Sequence, residues 1–388
     1  MAETRAINAR RVTVLTKFLP FPSNNGGKQR AAASLEALSS EFSVHVVAFR
    51  EDDLDTRALE DLGVTFDSVP WPTGLRDKLV GLVRTRSLSS ARFYSRDLAR
   101  RLDESIEKSD ATIIEYVQLA PMLPRTLGPL VLASHNVESA LVDSLADTKP
   151  LPSRLILKAE AWRLRRTERL LIKRCGLVTV IAESDAKRLP AQPNHTVTCP
   201  NGWPRKDALP PSSMKSAVFV ATLGWAPNVD ACRFLAREIW PKVVQQCPDA
   251  RLTLVGRDPT PEILEMADDT IRVCANVPEI EPFLAQARLS LAPLRAGGGS
   301  RLKILESLAV ARPVVATKIG AEGLEELWGQ GIVVADTSDE FASETVRLLN
   351  DAEEANEIGL RGRTVIRQRF SWDHALAPLR EWLDERVP

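Results

Sequence analysis

Residues 291–306, LAPLRAGGGSRLKILE, bring three glycines, several cations and one acid to one short stretch. Gly297, Gly298 and Gly299 follow a short apolar run. A helical pattern with Leu302, Leu305, Leu308 and Ala309 on one face comes next. Free backbone N–H groups at such a helix start favour an anion. Ser300 adds a hydroxyl, and Arg301 and Lys303 add charge, the arginine with the planar fork that fits a phosphate. Glu306 comes over a turn later and can accept two ribose hydroxyls, as acids do in nucleotide folds. A helix turns by about 100° per residue, so Arg301 and Glu306 point to different sides. One nucleotide laid across the helix start would meet phosphate donors on one side and the acid on the other. Without a ligand, the same residues are a glycine loop and a solvated helix face.

Three other segments hold chemistry-bearing residues. Gly26 and Gly27, in PFPSNNGGKQR, precede a helix with Ala31, Leu35 and Leu38 on one face, and let a phosphate or sugar approach the backbone. They can equally make a turn only. The stretch is not a P-loop, since position 22 is Pro and position 29 is Gln, and no GxGxxG occurs in the chain. His135 stands just past the apolar run LVLAS, beside Asn136 and Glu138. A neutral imidazole there can bond a sugar hydroxyl or pass a proton, or it can simply neighbour a helix cap. Gly224, Trp225 and Asn228 follow the run AVFVA and can line a cleft, with Asn228 alternatively capping the next helix. One DxD string, Asp53-Leu54-Asp55, lies in an acidic stretch that reads as a helix start rather than a metal site.

The elements that must position these residues alternate. Val12–Leu15, Val44–Phe49, Val64–Val69, Thr112–Ile114, Leu130–Ala133 and Leu177–Ile181 read as strands. The pattern restarts with Ala217–Ala221, Leu252–Val255, Ile271–Cys274, Leu289–Ala292, Val314–Ala316 and Ile332–Val334. Helical patterns lie between them, which implies parallel sheets covered on both faces, with ligands beyond the carboxyl ends of the strands. A stretch rich in Pro, Ser and charge separates the halves. The expected organisation is an α/β first domain over residues 1–205, a linker over 206–215, a second domain over 216–370 and a last helical segment over 371–388. A cleft between the two domains is expected.

The bulk numbers exclude some classes. Of 388 residues, 44% are hydrophobic and 26% charged, ordinary for a globular protein. Residues 1–205 carry 30 basic and 24 acidic side chains, and the remainder reverses the excess. A positive first half suits an acidic acceptor or an anionic membrane, unless it is only uneven surface charge. Within it, residues 76–101 hold eight cations: Arg76, Lys78, Arg84, Arg86, then Arg92, Arg96, Arg100 and Arg101, against Asp77 and Asp97. They can dock an anion or form a solvated helical face. The five cysteines are unpaired in spacing, so a reducing compartment is expected and no zinc site is suggested. No signal-peptide core or membrane span is visible, which makes the chain cytoplasmic, with peripheral contact at the inner face of a membrane left open. A periplasmic-type binding protein would need a signal peptide, and a dinucleotide dehydrogenase would need the missing fingerprint.

With these residues in view, the sequence resembles the retaining glycosyltransferases of family 4, of the glycosyltransferase group 1 type. The resemblance runs through PFPSNNGGKQR, SHNVES, CPNGW, LGWAPNVDA, LVGRDP, VPEIEPFL, the triple-glycine segment, RPVVAT, GAEGL and RFSWD, in order along both halves. It implies the GT-B fold, two Rossmann-like doubly wound parallel-sheet domains, with the last helix crossing back to the first domain. It also implies transfer of a sugar from a UDP- or GDP-sugar to a hydroxyl acceptor, with retention, without metal and without a cofactor. The acceptor would be a lipid-linked sugar, a glycan or a small molecule, and nucleic acid is not expected as a partner. By the same resemblance, Gly26 and Gly27 face the donor, His135 contacts the transferred sugar, and Arg301 and Lys303 hold the diphosphate. Glu306 holds the ribose, and Asn276 and Val277 bracket the base through their backbone. Lys28, Arg30, Asn136 and Glu138 lie on the acceptor side. Two departures stand out. The acid eight residues before Glu306 is replaced by Gly298, and the cations usual after the first strand of the second domain are replaced by Leu223-Gly224-Trp225. A GT-B epimerase, a phosphorylase or a non-catalytic nucleotide-sugar-binding protein would share the architecture.

Overall fold

The computed structural model describes residues 10–23, 26–51, 56–72, 74–126, 128–147, 150–203, 207–296 and 302–387, with the backbone alone for 75–78. The chain divides into two compact units. The first holds residues up to Asn201 and the closing segment from Trp372. The second holds Gly202 to Gly297 and Arg301 to Ser371.

In the first unit, strands β1 (Arg11–Phe18), β2 (Ser43–Arg50), β3 (Thr65–Pro70), β4 (Ala111–Ile114), β5 (Leu130–Ala133), β6 (Leu177–Val180) and β7 (Thr196–Thr198) form one sheet. Its order is β3-β2-β1-β4-β5-β6-β7, and every pairing is parallel. The central strands ATII, LVLA and LVTV are buried along their whole length, as a sheet covered on both faces requires. The register between β1 and β2 shifts between Leu15 and Phe18, an irregularity of the bulge kind that bends the strand at Lys17. The helix Trp372–Arg386 packs into this unit through Leu379, Trp382 and Leu383.

In the second unit, β8 (Ser216–Thr222), β9 (Arg251–Arg257), β10 (Ile271–Ala275), β11 (Leu289–Ala292), β12 (Val314–Ala316) and β13 (Ile332–Val334) form a parallel sheet of order β10-β9-β8-β11-β12-β13. Each sheet therefore reverses direction once, between β1 and β4 and between β8 and β11. Such a switch point leaves a crevice at the carboxyl edge.

Two local expectations need correction. Gly26 and Gly27 form the first turn of the helix Gly26–Ser39 itself and do not precede it. Asn228 is not the cap of the helix Ala226–Phe234. That position belongs to Trp225, whose side chain makes no cap bond. The segment 207–215 has no regular structure, and two buried arginines pin it to the second unit. Arg312 donates to the carbonyls of Leu209 and Pro210, and Arg288 to those of Ser212 and Ser213.

Candidate functional site

On the second unit, the loops after the strands are knitted together at the carboxyl edge. Gly224, after β8, lies so close to the loop after β9 that a Cβ there would come within 2.5 Å of the Asp258 carbonyl oxygen. Asp258 and Asn276 both adopt left-handed backbone, with φ of 54° and 52°. The Asn276 carboxamide oxygen accepts from the Asp258 N–H at 3.0 Å, joining the loops after β9 and β10. Asn228 donates through Nδ2 to the Thr222 carbonyl at 2.8 Å, which fixes its helix to the end of β8. Trp225 and Val277 are half-buried beside these turns. Gly320, after β12, comes against the end of β11, where a Cβ would stand 2.3 Å from the Ala292 oxygen. At this edge close backbone approach requires glycine at 224 and 320, and Asp258 and Asn276 hold the left-handed backbone that their short polar side chains tolerate.

The helix Leu302–Ala309 starts at the same edge, after β11. Lys303 is half exposed, and its ammonium stands 3.2 Å from the nearly buried Glu306 carboxylate. These two predicted ligands of one nucleotide therefore touch each other. Arg295, in the same glycine-bearing segment, is held by Asp230 at 2.8 Å and by Glu238 at 3.4 Å, so its charge is already matched. The expected anion ligands Gly297, Gly298, Gly299, Ser300 and Arg301 lie outside the described residues, as does Asp53-Leu54-Asp55.

On the first unit, the residues after β1, β4 and β5 form a second cluster. His135 is 7% exposed and stacks on Tyr116 with ring centroids 4.7 Å apart. Its Nε2 is 3.9 Å from the Glu115 carboxylate, too far for a direct hydrogen bond. Lys17, from the bend of β1, sits over the Tyr116 ring at 4.1 Å. Burial lowers the Lys17 pKa, with Glu138 opposing and Arg92 adding to the fall. Burial, then Glu115 and Glu138, push the Tyr116 hydroxyl well above its ordinary value, so it stays neutral. Gln118 donates to Glu138 at 2.8 Å. Behind them, the buried Glu168 accepts from the Glu138 N–H and the Ser139 hydroxyl, satisfying the first turn of the helix Glu138–Asp147.

Four polar atoms of this cluster have no hydrogen-bond partner among the described residues. They are His135 Nε2, Glu115 Oε2, Gln118 Oε1 and Asn136 Oδ1. Buried polar atoms are rarely left so, and together they offer donors and acceptors suited to hydroxyl groups. Lys28 and Arg30 are placed differently. Lys28 is buried against Glu51 at 2.6 Å. Arg30 is buried and donates to the Cys199 and Pro200 carbonyls and the Asn201 side chain, which ties the first helix to the chain after β7. The sequence reading missed Lys17, Glu115, Tyr116 and Gln118. The strand-end rule that picked out His135 would have found Glu115 and Tyr116, which directly follow β4. Among the described residues, no three His, Cys, Asp or Glu side chains gather closely enough to hold a metal ion.

Residues 215–351 match the family described as Glycosyl transferases group 1. Over 72 residues the chain is 40% identical to a trehalose synthase of Rubrobacter xylanophilus, a match to 19% of this chain and 17% of that protein. The chain thus spans about a sixth of the length of this curated relative. Among solved structures, it is similar to Anabaena HepE in complex with UDP and glucose, with a TM-score of 0.67 and 14% identity over 97% of this chain and 100% of that one. The sucrose-phosphate synthase of Thermosynechococcus elongatus gives 0.69 and 13% identity over 97% and 98%. An S. aureus TarM mutant in complex with Fondaparinux, alpha-GlcNAc-glycerol and UDP gives 0.68 and 11% over 98% and 100%. The fold is that of the GT-B glycosyltransferases, with two parallel sheets flanked by helices.

Proposed function

We propose, from the premise that residues 215–351 match the group 1 glycosyl transferases, that this chain is a retaining glycosyltransferase. It moves a sugar from a UDP- or GDP-sugar to a hydroxyl acceptor, as in the making of a cell-surface glycan, a glycolipid or a natural product. The second unit binds the nucleotide. Its helix start supplies N–H groups, Arg301 and Lys303 meet the diphosphate, and Glu306 meets the ribose. Gly224 faces the donor, and Asn276 and Val277 bracket its base through their backbone. The cluster around His135 serves the sugar and the incoming hydroxyl, with Asn136 and Glu138 on the acceptor side.

The observation that carries the reading is the set of four unpartnered polar atoms around His135. A sugar presents several hydroxyls within one ring and can satisfy them together. Charge on the departing diphosphate is matched by protein cations, so the reaction proceeds without metal or cofactor. The five buried free cysteines fit a reducing compartment, and the reading places the enzyme in the cytoplasm, peripheral to the inner face of the membrane where the acceptor is lipid-linked.

The test is a panel of UDP-, GDP- and ADP-sugars, read by thermal shift and nucleotide release. A transferase is stabilised by one nucleotide class and releases nucleotide fastest when acceptor is present. Interconversion of the donor sugar with no acceptor would make the chain an epimerase. No stabilisation by any nucleotide would remove the donor site.

A further inference from the structure

We propose that the first unit carries a separate binding site for one anionic amphiphile. The site is the groove between the helices Leu75–Thr85, Leu88–Ala91 and Ser153–Ile172. It encloses about 800 Å³, within the range of small-ligand pockets. Its walls carry large apolar side chains left in water: Leu82, Leu88, Trp162 and Leu170 are 37%, 51%, 64% and 57% exposed. Such a concentration of exposed apolar surface marks a binding site rather than ordinary surface. Ala120 and Pro121 also line the groove.

The charge is one-sided. Arg84, Arg86, Arg163, Arg166 and Arg174 line the groove, and no acid lines it among the described residues. The Glu160 carboxylate, 3.8 Å from the Arg163 guanidinium, is bonded mainly to the start of a neighbouring helix. It accepts from the Ser87 hydroxyl at 2.7 Å and from the Leu88 and Ser89 N–H groups, and so holds the helix Leu88–Ala91 against the long helix. Burial alone would raise its pKa, but these hydrogen bonds outweigh burial and hold it below the usual carboxylate range. The groove wall is therefore built in advance by an ionised, fully bonded group. Arg84 lies over the Tyr94 ring and Arg174 donates to the Pro124 carbonyl. Each guanidinium has five N–H donors, so most remain for a phosphate or carboxylate head. Apolar walls with an arginine rim are complementary to a hydrocarbon chain ending in an anion, and to neither an inorganic anion nor a cationic detergent. The site is read by binding alone and does not depend on the transfer reaction.

The test uses dodecyl phosphate below its micelle concentration, with calorimetry and tryptophan fluorescence as readouts. One molecule binds per chain, and inorganic phosphate and dodecyltrimethylammonium bind at least about tenfold more weakly. Trp162→Phe abolishes the fluorescence change and keeps the binding. Arg163→Glu with Arg166→Glu weakens binding by at least about tenfold, since each charged hydrogen bond is worth about that much. Leu170→Glu, at an exposed helix position, serves as a second variant whose folding is checked by circular dichroism. Equal binding of the cationic detergent, or unchanged affinity in both variants, would overturn the site. Binding only to vesicles containing phosphatidylglycerol, with none to the monomeric probe, would also overturn it and make this face a membrane contact instead.

Discussion

His135 is the residue with most at stake. It is enclosed, stacked on Tyr116 and left with an unpartnered Nε2. If that nitrogen meets the sugar as its bond breaks, His135→Ala lowers turnover by two to three decades, about 2–4 kcal/mol of transition-state stabilisation. Nucleotide binding, which the proposed reading assigns to the other unit, stays nearly unchanged. Steady-state kinetics with calorimetry on the variant decide this, and near wild-type turnover would remove His135 from the site. Glu168, just behind it, gives a stability prediction. Burial raises its carboxyl to about 7 against the donors that favour ionisation. An acid whose pKa is higher folded than unfolded contributes stability that is full below its unfolded pKa of about 4.5 and is lost as pH rises through about 7. A tenfold difference in acidity between the folded and unfolded chain corresponds to about 1.4 kcal/mol. Unfolding of the first unit should therefore become easier from pH 5 to pH 8, and Glu168→Gln should flatten that slope. An equally steep slope in the variant would assign it to other groups. At this scale the sequence was partly legible. His135 stood out because only four histidines exist and one follows a strand. Glu168 gave no signal, since nothing in the pattern of a long charged helix says which acid turns inward.

The strands were readable because parallel strands buried on both faces are unbroken apolar runs, as in LVLA and ATII. The strand β7 was missed for the converse reason: TVT is three residues long and none is buried. The helix start at Leu302 was legible from its glycines, but the contact between Lys303 and Glu306 was not, because a spacing of three residues permits a pair without requiring one. That contact changes what mutation should show. Arg301→Ala and Lys303→Ala should weaken a nucleoside diphosphate far more than a nucleoside. Glu306→Ala should weaken both by a factor on the order of ten to a hundred, as for a charged hydrogen bond worth about 1.5–3 kcal/mol. Because Lys303 loses its partner when Glu306 is removed, the double variant of these two should fall short of additivity. Calorimetry with nucleoside, monophosphate and diphosphate separates the three. A Glu306→Ala variant that binds nucleoside as well as wild type would end the ribose assignment.

At the scale of the whole chain, protein cations and a divalent metal are alternative ways to match a diphosphate leaving group. If Arg301 and Lys303 do so, activity survives EDTA. Complete loss on chelation, restored by Mn²⁺ or Mg²⁺, would contradict it.

The closing helix Trp372–Arg386 belongs to the first unit although some 170 residues of second-unit chain precede it. What holds it there can be ranked. Leu376, Leu379 and Leu383 are buried, and the Trp382 ring lies so close to Gly176 that a Cβ there would come within 2.9 Å. The ion pairs Arg380–Glu41 and Arg10–Asp384 are partly exposed and contribute roughly 0–1 kcal/mol each. Truncating a buried leucine costs about 2–5 kcal/mol. So Leu383→Ala should destabilise the first unit strongly and Arg380→Ala barely. A chain of two units need not unfold in one step. A nucleotide bound to the second unit raises that unit's transition and thereby identifies it. In urea unfolding with nucleotide present, Leu383→Ala should lower the other transition and leave the nucleotide-sensitive one in place. A shift of the nucleotide-sensitive transition would mean that the last helix stabilises the unit it follows in sequence rather than the unit it packs into.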